Sequence, residues 1–241
     1  MFKFVKFIFK WLLRLAILAV VLVVTLLLTY NSILRLLMEH DIRKQTGMDA
    51  EIGRFHLSLF EPVIEIQNLK LYNPTNFAGT PFLNISEIHI EYDPDALRNR
   101  QIHIILVRFS LAELDIVKNQ NGQFNILALG KKLPAKGANV SPAFNFGMQT
   151  DYSFTGIDTL NFSFGREKFI DLQDPSKDSE QIVGIQNCIV PHVKSTNDLD
   201  GLILLVGLRS NGFVQQLPGM TSQTGNTDAV RDVLKIFGAT F

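Results

Sequence analysis

The sequence predicts a mainly β protein with an N-terminal transmembrane helix, its strands forming a curved antiparallel sheet or groove. Three observations predict this. Leu15 to Ser32, LAILAVVLVVTLLLTYNS, holds no charged residue. From Met48 onward apolar residues recur with a period of two, as in Ile64-Glu65-Ile66-Gln67 and Ile88-His89-Ile90-Glu91-Tyr92. Turn signals punctuate these runs: Asn73-Pro74, Asp93-Pro94-Asp95 and Asn121-Gly122.

The charge-free stretch comes first. At about 1.5 Å of rise per residue it spans roughly 27 Å as a helix, close to the hydrocarbon thickness of a bilayer. A helix satisfies its own backbone hydrogen bonds in lipid. Lys3, Lys6, Lys10 and Arg14 precede it; Arg35, Arg43 and Lys44 follow. The excess of cations ahead of the span favours an N-terminus in the cytoplasm. Tyr30-Asn31-Ser32-Ile33-Leu34 offers no small-x-small cleavage site, so residues 1–32 read as an uncleaved transmembrane signal anchor. Trp11 and Tyr30 stand near its two ends, where amphipathic rings prefer to lie.

Residues 33–47 read as an amphipathic connecting helix. Ile33, Leu34, Leu37 and Ile42 fall near one face, and Gly47 supplies the backbone freedom that commonly ends a helix. Residues 48–130 read as a β module. In it Asn68 breaks the alternation as a bulge would, and Val107 to Leu111 alternate in a phase shifted from Ile102-His103-Ile104. Asn121-Gly122 is the strongest short hairpin signal, because both residues tolerate positive φ. Residues 131–145 read as a loop, opening with KKLPAKGANVSPA. Residues 146–241 continue the β body. Leu160, Phe162 and Phe164 alternate with polar residues. Gly201 to Leu208 is apolar on both parities and reads as a strand covered on both faces. A short C-terminal helix is expected over 228–237, capped by Asn226 or Thr227 and stopped by Gly238.

The order of these elements resembles the N-terminal module of bacterial AsmA-like proteins. The resemblance is carried by the anchor and short helix ending in Thr46-Gly47, then Ile52-Gly53, Phe55, Leu57 and Leu59. Next comes the segment from Pro62 through Ile64, Ile66 and Asn68 to Asn73-Pro74. Phe82 to Tyr92, Ile102 to Phe109, Ala112 to Ile116 and Asn121 to Ile126 complete it, so it covers roughly residues 1–130. It implies a single-pass protein of the bacterial inner membrane with the bulk of the chain in the periplasm. It also implies an apolar β-groove and a role in lipid handling, lipid transport or outer-membrane biogenesis.

The parity of the runs puts Ile64, Ile66, Ile88, Ile90, Ile102 and Ile104 on one apolar face, the expected lipid-binding face. Glu65, Gln67, His89, Glu91 and His103 go to the opposite face. The partners expected are the membrane and a phospholipid or other acyl lipid, with an envelope protein as a further partner. Equal numbers of cations and anions, 23 each, leave no basic excess for nucleic acid. Cys188 is the sole cysteine, so no internal disulfide forms.

No catalytic constellation stands out, and an enzyme, a cofactor and a metal are not expected. His40, His56, His89, His103 and His192 are scattered and match no ligand spacing. Asp171, Asp174 and Asp178 flank Pro175 as a surface loop would. Two readings stay open. One is a lipid-handling groove. The other is a membrane-tethered structural or assembly factor whose apolar face is covered by its own C-terminal half or by a protein.

Overall fold

The computed structural model describes residues 2–58, 60–126 and 151–210. It is mainly β: one open sheet of six strands in the order β1-β2-β3-β4-β5-β6. The strands are β1 (Asp49–Leu57), β2 (Val63–Tyr72), β3 (Pro81–Tyr92), β4 (Gln101–Lys118), β5 (Ser153–Asp171) and β6 (Ser179–Val193). The α-helices named among the described residues are α1 (Phe2–Thr46), α2 (Pro94–Arg98) and α3 (Asp200–Arg209).

The sheet is mixed rather than antiparallel. Neighbours pair antiparallel except β4 and β5, which run parallel. A parallel pair needs a crossover of a dozen or more residues, and the chain between Lys118 and Ser153 is long enough to supply one. Ile104, Val107, Phe109, Leu111 and Ile116 then stand beside Ile157, Leu160, Phe162, Phe164 and Phe169. Apolar residues thus meet apolar residues along both strands.

Each strand carries a step where the spacing of inward-facing residues is three instead of two. The steps run 52→55, 66→69, 85→88, 111→114, 164→167 and 185→188, and residues at both ends of each are buried or packed on the core. Asn68 (φ 54°) and Asn187 (φ 49°) sit inside two of them in the left-handed region. Where the register also shifts, as between β3 and β4 and between β5 and β6, such steps are bulges, which bend a strand and increase its twist. Gly165 lies in the β5 step, where an added Cβ would stand 2.5 Å from the Ala112 carbonyl oxygen, so only glycine fits.

The helix α1 is continuous for 45 residues, about 67 Å, and ends where Gly47 takes φ 70°. Its C-terminal third runs antiparallel to β1. Leu34, Met38 and Ile42, spaced by four, pack on the core, while Ile33 and Leu37 of the expected apolar face point to solvent. Asn31, Arg35 and Glu39 form the adjacent stripe and cover the edge of β1. Asn31 Oδ1 accepts from Leu57 N at 3.0 Å, Arg35 Nη1 donates to Gly53 O at 3.5 Å, and Glu39 Oε1 accepts from Ile52 N at 2.8 Å. A sheet edge so occupied cannot recruit another strand.

Gly201 to Leu208 is helix, not strand. The Ser195–Asp198 capping box starts a helical turn that runs directly into α3, and Leu202 and Ile203 then bury against β6 while Leu204 and Leu208 stay exposed. Asn121-Gly122 makes its turn, with Gly122 N donating to Asn119 O at 2.9 Å. Only a single bridge, Lys118 to Phe124, follows it among the described residues. Residues 31–46 are helical within α1, and the expected loop 131–145 and helix 228–237 lie outside the described residues.

Candidate functional site

The cross-strand ladder assembles the apolar face. Ile64 stands opposite Ile90, and Ile66 opposite Ile88. Ile88 and Ile90 pair onward with Phe109 and Val107. The rows continue through Phe162 and Leu160 into Cys188 and Val190 of β6. Of the six isoleucines expected here, Ile66 and Ile88 are buried in the core, and Ile64, Ile90 and Ile104 are half-buried against it. Ile102 is half-buried beside Phe154 but is not part of that cluster.

Coverage is uneven along the strands. At the end where β2 and β3 are joined, the face is closed. Phe82, Leu83, Ile85, Leu114 and Ile116 are buried there, with Phe124 and Ile126 folded onto them. Phe124 and Phe169 meet with centroids 6.3 Å apart and their rings tilted by 34°. Asn125 secures that closure: its Nδ2 donates to Asn73 Oδ1 and Asp115 O, and its Oδ1 accepts from Val117 N. At the opposite end, where β1 turns into β2, Leu57, Ile64, Ile90, Ile104, Val107 and Phe154 are only half covered. This is also where α1 arrives, with Tyr30 Oη donating to Leu57 O.

The other face of the sheet is polar. Glu65 pairs with His89 and His89 with Arg108 across the strands. Glu65, Glu87 and His89 bring ligand atoms within 4.8 Å of one another. The chain already occupies them: Arg108 Nη1 bonds Glu87 at 2.9 Å, Gln67 bonds Glu65 at 2.7 Å, and Glu91 bonds His89 at 3.0 Å. His103 meets Asp158 at 3.2 Å. Farther along, Glu113 takes Arg166 Nε at 2.6 Å and Lys168 Nζ at 2.9 Å. Burial pushes the Glu113 carboxyl up, but these two cations together hold it below its usual range.

The three aspartates around Pro175 build their own turn. Lys118 Nζ holds Asp171 Oδ2 at 2.9 Å and lowers its pKa, Lys177 pairs with Asp174, and Asp178 Oδ1 accepts from Asp171 N. Cys188 is half-buried beside Phe162.

A buried carboxylate interrupts the apolar face. Glu167 stands beside Leu114 in the parallel register and is 5% exposed. Its Oε1 has no hydrogen-bond partner, and burial raises its pKa to about 7. A protonated carboxyl there is a hydrogen-bond donor within an otherwise apolar surface.

No protein-family model matches the chain, and no curated protein or solved structure is significantly similar to it. Among the described residues no helix is long and apolar enough to cross a membrane. Within Leu15–Ser32, however, the large apolar side chains that are described, from Leu15 to Leu28, are all exposed to the surroundings.

Proposed function

We propose that this chain is an AsmA-like protein of the bacterial envelope, anchored in the inner membrane by α1, that handles lipid on the apolar face of its sheet. The observation that carries the reading is the uneven coverage of that face. It is sealed at the far end and half open where α1 brings in its bare apolar segment. Exposed apolar area of that extent on one helix is rare in water and marks contact with lipid or protein. Each acyl methylene laid on the open part of the sheet contributes up to about 0.8 kcal/mol.

The test is lipid retention. Purified full-length protein in mild detergent, extracted and weighed by mass spectrometry, is expected to carry phospholipid. Annular lipid around α1 would be retained by every variant, so the comparison decides. Ile104→Asp and Ile90→Asp are expected to stay folded and to lose the part held by the sheet, because the new carboxylates face a surface that water reaches. Equal lipid in folded wild type and folded variants would reject the groove.

Anchoring is tested separately. Arginine at both Val21 and Leu22 costs about 2.5–3.5 kcal/mol per residue on the insertion scale and is expected to leave the protein outside the membrane fraction. A mature N-terminus near residue 30, or a reporter fused after Phe241 that works only in the cytoplasm, would sink the anchored periplasmic reading.

A second reading has an observation in its favour. Most of the apolar face, from Ile52 and Ile66 to Phe164 and Ile185, is already buried by the chain itself. A closed core of that kind suits a membrane-tethered structural or assembly factor with a protein partner. Ile90→Asp and Ile104→Asp would then unfold the domain.

A further inference from the structure

We propose that the hairpin tip between β1 and β2, with Phe60 on it, is a second point of contact with the bilayer, seated among the lipid headgroups beside α1. The proposal rests on the reading of α1 as a membrane anchor and adds to it where the sheet touches the membrane.

The register of α1 against β1 carries the inference. Tyr30 and Asn31 bond Leu57, Arg35 reaches Gly53, Glu39 reaches Ile52, and Arg43 meets Asp49 at 2.7 Å. Helix and strand are therefore antiparallel, and the strand direction beyond Leu57 leads back along α1 toward its apolar segment. Phe60 lies three residues past Leu57, so at about 3.3 Å per residue the tip reaches up to about 10 Å farther. Leu57 itself is level with Tyr30 and Asn31 at the end of the charge-free segment, and the Ser58 N to Val63 O bond turns the chain back short of that limit, so the tip stays near the segment's end. If Leu15–Ser32 is in the bilayer, this tip lies at its surface.

Phe60 is chemically suited to that place. It is 98% exposed. The tip is held in shape by Ser58 N donating to Val63 O and Glu61 N donating to Ser58 Oγ. Pro62 O accepts from Tyr92 N, which ties the tip to the neighbouring β3–β4 turn, where Leu97 is also exposed. The opposite end of the sheet is built otherwise. The phenylalanine of its β2–β3 turn, Phe77, is 0% exposed, and the Asn119–Gln123 and Asp174–Asp178 turns there are polar. Only the end facing α1's apolar segment displays an aromatic ring to its surroundings among the described turns. Exposed Glu61 beside Phe60 limits the depth to the headgroup layer, where aromatic rings favour the boundary between polar and apolar zones.

The sole cysteine makes the experiment clean. In a Cys188→Ala background, an environment-sensitive fluorophore is placed at Phe60→Cys, at Leu22→Cys and at Asn121→Cys on the far turn. Each full-length protein is reconstituted into phosphatidylethanolamine–phosphatidylglycerol vesicles containing nitroxide lipids. The label at 60 is expected to emit to the blue of the label at 121 and to be quenched several-fold more. Its quenching should be stronger with a nitroxide near the headgroup than with one deep in the acyl chain. A label at 60 as water-like as that at 121, with the label at 22 quenched, overturns the hairpin contact and leaves the anchor standing. A label at 22 that escapes quenching removes the anchor reading and this proposal together.

Discussion

Ile66→Asp is expected to leave the β domain unfolded at neutral pH. Ile66 is 2% exposed and stands in a cross-sheet row with Phe55, Ile88, Phe109, Phe162 and Cys188. The substitution removes an apolar side chain whose burial contributes roughly 1.5–3 kcal/mol. It also places a carboxylate in that apolar row, which costs several kcal/mol more or forces the group to protonate. The sum rivals the roughly 5–15 kcal/mol that hold a domain together. Ile66→Val, by comparison, costs about 1 kcal/mol and keeps the fold. Circular dichroism and limited proteolysis of the two variants in the same detergent check this. The contrast with Ile104→Asp, two strands away at the half-open end, locates the boundary between core and groove. A folded, protease-resistant Ile66→Asp protein would show that water reaches the face along its whole length.

The strands were legible because alternation leaves a trace that survives without tertiary information. Ile64, Ile66, Ile88 and Ile90 meet as their parity requires, and Glu65 meets His89 on the other side. The break in alternation at Asn68 was legible too, since Ile66 and Leu69 cannot share a face without a step, but its left-handed backbone was not. Other features left no such trace. Pairing direction is invisible to parity, so the parallel β4–β5 pair could not be told from an antiparallel one. The run Gly201–Leu208 is apolar at every position that either a strand or a helix would bury, and its helix is decided by the Ser195 cap upstream. Ile102 and Ile104 illustrate a finer limit. Ile90 stands beside Val107, and Ile104 returns to the core only because β4 steps between them. The open and closed ends of the apolar face depend on where α1 and the Phe124–Ile126 segment land, and long-range packing of that kind is not written in any local period. Glu167 was hidden by the same kind of step. Alternation from Leu160, Phe162 and Phe164 would turn Arg166 inward and Glu167 outward. The Gly165 step reverses them, sending Arg166 to Glu113 and Glu180 on the polar face and Glu167 inward.

That reversal makes Glu167 a titratable group whose effect on stability can be measured. Burial raises its folded pKa from 4.5 to about 7, and no partner offsets the cost. Below about pH 4.5 the carboxyl is protonated in both states and contributes nothing to pH dependence. Above that, the unfolded chain releases its proton while the folded chain keeps it, so the unfolded state gains. Stability therefore falls as pH rises from about 4.5 to about 7 and is level beyond, a loss of roughly 3 kcal/mol at about 1.4 kcal/mol per unit. Asp115 acts in the same sense. Burial first, and the Glu113 charge second, raise its pKa from 3.8 to about 6. Glu113, Asp171, Asp174 and Asp198 act in the opposite sense, since their lowered pKa values cost stability only as pH falls below the ordinary carboxylate range. The wild-type domain is thus expected to be most stable near pH 5. Glu167→Gln keeps the shape, removes the charge, and is expected to flatten most of the decline toward pH 8, so that it melts above the wild type at pH 8 and close to it at pH 5. Thermal denaturation of both proteins at the two pH values reads this directly. A difference between them that is the same at both pH values would mean that Glu167 is ionised, and hence hydrated, in the folded protein.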